Sequence, residues 1–163
     1  MHASLVALVS TVAAAAAAAP GYSHGSSSSS LTAAARDTPY AEWLATHFAE
    51  SCSPGGCFAS FNISAPAGYV AGAPAFDVIC HLVYARQDWR DCDNSGVQGA
   101  AGGSRVQSMK TDASRRGLVR ISVAHIWTSL EDGRQRDNAS GFAEVDAGWS
   151  VFSVPVTMLS AVL

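Results

Sequence analysis

Apolar and polar residues alternate with a period of two over much of the chain. Residues 118–127 place Val119, Ile121, Val123 and Trp127 on one face and Arg120 and Ser122 on the other. That is the pattern of a strand with one buried side. Residues 76–84 repeat it, with Phe76, Val78, Cys80, Leu82 and Tyr84 together. In residues 58–63, Ala59, Phe61 and Ile63 share a side opposite Ser60 and Asn62. The run 149–154 is rich in branched and aromatic residues. Pro155 follows it, which predicts an edge strand or a strand end at that point.

Turn signals separate these runs. Ser53-Pro54-Gly55-Gly56 is one, and Glu131-Asp132-Gly133 reads as a hairpin turn. Pro66-Ala67-Gly68 and Gly72-Ala73-Pro74 bracket a loop, and 96–104 reads as a long flexible one. Short strands with turns between them predict an all-β fold, an antiparallel barrel or sandwich. Residues 40–50 conflict with this picture. Their propensity is helical, and Trp43, Leu44, His47 and Phe48 would share a helical face. The turn just after them asks for a strand on each side, so a strand is expected.

Ahead of the pattern, residues 1–20 form an alanine-rich apolar leader ending at Ala19-Pro20. An apolar core followed by small residues reads as a signal peptide. The stretch is short, alanine-rich and without a basic stop, unlike a membrane anchor. Residues 21–38 contain the run Ser26 to Ser30 and hold too little apolar surface to pack, so they read as disordered. Residues 39–163 are one domain, small enough for disulfides to help it fold. No later segment is long and apolar enough to cross a bilayer, so no membrane partner is expected.

The formal net charge is -3, with acids and bases interspersed. Nucleic acid demands a basic field, so it is not an expected partner. Asn62-Ile63-Ser64 and Asn138-Ala139-Ser140 are candidate glycosylation sites. Asn62 lies in an expected strand and must point outward to carry a sugar.

The chain has four cysteines, Cys52, Cys57, Cys80 and Cys92. In an exported protein an even set of thiols becomes disulfides. Cys52 and Cys57 flank a four-residue turn and would face each other across a hairpin, with α-carbons about 4.5 to 5.5 Å apart. Cys80 and Cys92 close a loop of about a dozen residues, worth on the order of 3 kcal/mol. The expected pairing is therefore Cys52–Cys57 and Cys80–Cys92. Zinc is the competing reading. The Cys52 to Cys57 spacing is loose for a finger, and an oxidising compartment removes the thiolates zinc needs, so no metal ligand is assigned.

Trp43, the segment from Cys52 through Cys57, and Phe58, Phe61 and Ile63 together resemble the opening of the Alternaria major allergen-like family of fungal secreted proteins. Phe76 to Cys80, and Trp89-Arg90-Asp91-Cys92, resemble its central cysteine pair, and 152–157 its last strand. The resemblance covers about residues 40 to 160. It implies an all-β barrel or sandwich, release by a fungus, and action as an allergen, elicitor of plant defence or virulence factor. This chain departs from the family in having no cysteine after Cys92, which speaks against a late disulfide and a cystine-linked dimer.

Candidate chemistry is sparse. His24 lies in the serine-rich segment. His81 and His125 sit in expected strands. With Glu131 or Glu144 they could form the acid–base pair of a small secreted ribonuclease. His125 shares a face with Val123 and Trp127, so a semi-buried, hydrogen-bonded structural histidine is its plainer account. No Gly-x-Ser-x-Gly elbow is present, Ser104 has no evident partner, and 99–103 lacks the Lys of a phosphate loop. Asp88, Asp91 and Asp93 surround Trp89, too few ligands for calcium, and read as a solvated loop. Trp43, Trp127 and Trp149 fit core positions, whereas Trp89, among charges near a disulfide, is the candidate contact residue. Arg115-Arg116 reads as a surface turn.

The sequence thus predicts a secreted β domain with no catalytic residues and no cofactor. It is expected to bind host or cell-wall proteins or small ligands through loops 68–74 and 88–104, with a homodimer left open. A carbohydrate-binding module is the first rival reading and a small hydrolase the second.

Overall fold

The computed structural model describes residues 38–98, 103–113, 115–128 and 135–162. The leader, the serine-rich segment up to residue 37, and Glu131-Asp132-Gly133 lie outside the described residues.

Among the described residues, nine strands form one antiparallel sheet: β1 (Ala41–Ser53), β2 (Gly56–Ala65), β3 (Phe76–Val83), β4 (Arg90–Asp91), β5 (Asp93–Gln98), β6 (Arg105–Asp112), β7 (Leu118–Thr128), β8 (Arg136–Asp146) and β9 (Val151–Val162). Their order is β4-β6-β7-β8-β9-β1-β2-β3-β5. The sheet curls until its edges meet, making a nearly closed barrel. Cys92 sits at that seam. Its N–H donates to the Val106 carbonyl of β6 at 2.9 Å. Its sulfur is bonded to Cys80 of β3, with α-carbons 4.3 Å apart. The Ser108 hydroxyl of β6 also lies 3.6 Å from the Cys92 sulfur. The second disulfide, Cys52–Cys57, ties the β1–β2 hairpin, with α-carbons 4.0 Å apart. Both expected pairings and the all-β class are thus present.

The two-residue alternation fills the barrel interior. Ala59, Phe61 and Ile63 of β2 are buried, as are Phe76, Val78, Cys80 and Leu82 of β3 and Ile121, Val123 and Trp127 of β7. With Trp43, Val106, Val145, Val154 and Val156 they form one core. Such burial is worth roughly 1.5 to 3 kcal/mol for each large side chain.

Strict alternation fails in β1 and again near Pro155, and each has a local device. In β1, Trp43 and Ala45 point inward, so period two would put His47 inside. The β1–β2 register instead shifts between Thr46 and Ala49. His47 takes a positive φ of 54° and turns outward, and Phe48 enters the core, where it packs edge-on against Phe152 at 5.7 Å. This bulge is why the segment mimics a helical pattern while forming a strand.

The second device concerns Pro155. Contrary to the sequence expectation of an edge strand or a strand end, it neither ends β9 nor lies at an edge. β9 pairs with both β8 and β1 and runs on to Val162. The proline is accommodated by a register shift between Ser140 and Gly141 of the neighbouring β8. A Cβ at Gly141 would lie 1.8 Å from the Pro155 carbonyl oxygen, so only glycine lets the two backbones approach this closely.

Three further expectations are corrected. Trp149 is not a core residue: it is half-exposed in the turn between β8 and β9. Residues 88–104 are not simply a loop, since β4 and β5 lie within them and complete the seam. His125 is not semi-buried but fully buried.

Candidate functional site

The connection from β2 to β3, residues 66–75, folds over one end of the barrel. Gly68 and Gly72 both adopt the left-handed conformation, with φ of 74° and 75°, which glycine reaches without steric cost. The Gly68 N–H donates to the Ala73 carbonyl at 2.8 Å and the Ala73 N–H to the Val70 carbonyl at 3.1 Å, so the loop closes on itself. Ala73 is buried, and Tyr69 and Val70 pack against the core.

Tyr69 is the centre of this end. Its ring lies 5.6 Å from Trp43, 6.1 Å from Phe76, 5.9 Å from His125 and 6.4 Å from Trp127. His125 in turn lies 4.6 Å from Phe76 and 5.0 Å from Trp127. The Tyr69 hydroxyl and His125 Nδ1 are 2.8 Å apart, a hydrogen bond. Burial lowers the His125 pKa to about 4, so the ring is neutral at physiological pH. Burial also pushes the Tyr69 phenol up, an effect that the nearby Trp43 indole N–H offsets in part. That indole nevertheless falls short of hydrogen-bond geometry.

Four buried polar atoms here have no hydrogen-bond partner among the described residues: Trp43 Nε1, Ser104 Oγ, His125 Nε2 and Trp127 Nε1. Ser104 stands just before β6. Because Val106 pairs with His125, Ser104 falls opposite Trp127 on the inward face. A cluster of this kind is uncommon, because buried polar groups are nearly always paired.

The remaining predicted residues lie elsewhere. His81 points outward on β3, with Nε2 3.4 Å from the Asp93 carboxylate. It therefore faces away from inward-pointing His125, and the two do not form an acid–base pair. Glu144 accepts a 3.0 Å bond from Arg120, and Glu131 lies outside the described residues. The three aspartates are engaged separately: Asp88 with Arg90 at 3.8 Å, Asp91 with Gln107 at 2.9 Å and Asp93 with His81. Glu50 lies close to the Cys52 and Cys57 sulfurs, but these are joined to each other and offer no thiolate.

Trp89 is exposed, three residues before the seam cysteine. Asn62 alternates with buried Phe61 and Ile63 and so faces outward. Asn138 is half-buried on β8, and its Oδ1 is out of solvent without a hydrogen-bond partner among the described residues. Arg115 and Arg116 are exposed in the turn before β7.

Sequence reasoning placed His125 and Trp127 on one buried face but missed Tyr69. Its signal was present: an aromatic flanked closely by Gly68 and Gly72 within a loop bracketed by prolines. Comparison of the chain with protein-family models, with curated proteins and with solved structures finds no match.

Proposed function

We propose that this chain is a secreted binding protein of the fungal allergen and effector type, acting on host or extracellular molecules rather than by catalysis. The two disulfides are consistent with an extracellular protein, and the leader supplies the route. The observation that carries the reading is Trp89. It is 42 % exposed on a short segment that the Cys80–Cys92 bond holds against the barrel wall. A large ring held in place before contact loses little freedom on binding, which suits a contact residue. The outward His81 and the buried His125 weaken the hydrolase reading, which needs both in one cleft.

Infiltration of the purified protein into leaf tissue tests the proposal. The expected result is a defence response that Trp89→Ala diminishes without altering the circular dichroism of the fold. Silence on every host tried would reject the elicitor role. Trp149, half-exposed in the β8–β9 turn, gives the carbohydrate-binding reading a second candidate ring. Retention on chitin or glucan, lost in Trp149→Ala or Trp89→Ala, would favour that reading instead.

A further inference from the structure

The loop-covered end of the barrel has a chemistry that points to a ligand. Trp43 and Trp127 each carry an indole N–H that can only donate. His125 is neutral, so one of its nitrogens carries the proton. In the tautomer where the Tyr69 hydroxyl donates across the 2.8 Å contact, His125 Nδ1 is the acceptor. The remaining His125 proton then sits on Nε2. Three buried N–H donors, together with the Ser104 hydroxyl, thus lie at one end of the interior with no acceptor among the described residues. The walls around them are the flat faces and edges of Trp43, Phe76, His125 and Trp127. Neither these rings nor Ser104 and Val106 carry charge.

We infer that this end is a binding site for a small, flat, uncharged molecule bearing a carbonyl oxygen, and that Tyr69 is its exchangeable stopper. The carbonyl supplies the acceptor lone pairs that the indoles and the imidazole lack, and the planar body takes the place of the Tyr69 ring. A charged carboxylate fits less well, because no cationic side chain is among these groups to offset its burial.

Among the described residues the stopper is held by side-chain contacts: ring packing and a hydrogen bond to His125 Nδ1. Glycines in the left-handed region stand at both ends of the segment 68–72 that carries it. Their freedom about φ allows Tyr69 to swing out while the Gly68–Ala73 bond keeps the base of the loop closed. The site is independent of Trp89, so it stands or falls separately from the binding surface proposed above.

The chain has four tryptophans, which makes a direct experiment simple. The 15N-labelled protein is titrated with acetophenone and, in parallel, with ethylbenzene, which has a similar shape but no carbonyl. Indole N–H signals are followed by NMR and assigned with single Trp→Phe variants. Acetophenone is expected to shift the Trp43 and Trp127 signals and to leave the exposed Trp89 and Trp149 signals in place. Ethylbenzene is expected to bind at least about fivefold more weakly, the worth of one hydrogen bond.

Tyr69→Ala, which removes the stopper, should tighten acetophenone binding about tenfold or more. Tyr69→Phe, which removes only the hydroxyl anchor, should tighten it about fivefold and keeps the test valid if the alanine variant does not fold. Trp127→Phe should weaken binding without changing the fold. Equal affinity for the two probes, shifts confined to Trp89 and Trp149, or unaltered affinity in a folded Tyr69→Phe protein would overturn the inference. So would the absence of any shift in all three proteins.

Discussion

The two ends of the barrel are closed by opposite means. At the β1–β2 hairpin the closure is covalent and charged. Cys52–Cys57 ties the strands. Lys110 lies over the Tyr84 ring at 4.9 Å and pairs with Asp112 at 3.2 Å. Burial, and then the negative charge of Glu50, push the Tyr84 phenol up. At the 66–75 loop the closure is non-covalent and neutral: one tyrosine, one hydrogen bond and a set of aromatic edges, with four polar atoms left unpaired. The first end contributes to stability. Among the described residues the hairpin end leaves one buried polar atom, Tyr84 Oη, without a hydrogen-bond partner, whereas the loop end leaves four together, the expected arrangement where structure gives way to binding.

Breaking the wall shared by both ends should have the largest effect. Gly141→Ala drives a methyl group into the Pro155 carbonyl, and the β8–β9 pairing cannot widen without separating the sheet. A loss of about 4 kcal/mol or outright failure to fold is expected, measured by urea denaturation. Near-normal stability would mean that the Ser140–Gly141 bulge is softer than its geometry indicates.

Next comes the seam. Replacing Cys80 and Cys92 together with alanine should cost about 3 kcal/mol, against about 2 kcal/mol for Cys52 and Cys57, because the longer loop restrains the unfolded chain more. Thermal melts of the two double variants compare them directly. The reverse order would show that the hairpin end, not the seam, holds the barrel shut.

The neutral end should announce itself through pH. His125 is fully buried with its pKa lowered to about 4, while in the unfolded chain it titrates near 6.5. Between those values the unfolded state binds the extra proton. Stability is therefore complete above about pH 6.5 and falls as pH drops toward 4, by about 2 kcal/mol at pH 5. Urea titrations at a series of pH values should show this slope, and His125→Phe should flatten it. A slope unchanged in His125→Phe would place the titrating group elsewhere.

The smallest effect belongs to the charged end. Asp112 is mostly exposed, so its pair with Lys110 is screened. Asp112→Asn should shift stability by no more than about 0.5 kcal/mol, seen as a barely displaced urea midpoint. A larger loss would mean that the charges, and not the disulfide, close that end.

Some of this was readable from residues in order. The cystine pairing followed from the turn at 53–56 and from loop length. Ala59, Phe61 and Ile63, and Phe76 through Leu82, fell on the buried side because alternation is a local property that any half-buried sheet imposes. Trp149 defeated the same reasoning: as a turn residue it has no strand face to belong to. Pro155 defeated it too, since the glycine that makes room for it sits on another strand. His125 was placed on the correct face, but its partner Tyr69 is 56 residues away in sequence, and no periodicity links a loop residue to a strand so distant.

By itself, then, the chain determined that strands form, which side of most of them is apolar and which sulfurs join. Those are short-range matters of pleat, turn and loop length. Only the folded barrel decided that Cys92 is the seam, that Gly141 shelters Pro155, and that two indoles, an imidazole and a serine meet beneath a tyrosine. Closing a sheet into a barrel brings together residues from strands far apart in sequence, and the polar groups that meet there find or lack partners according to that closure alone.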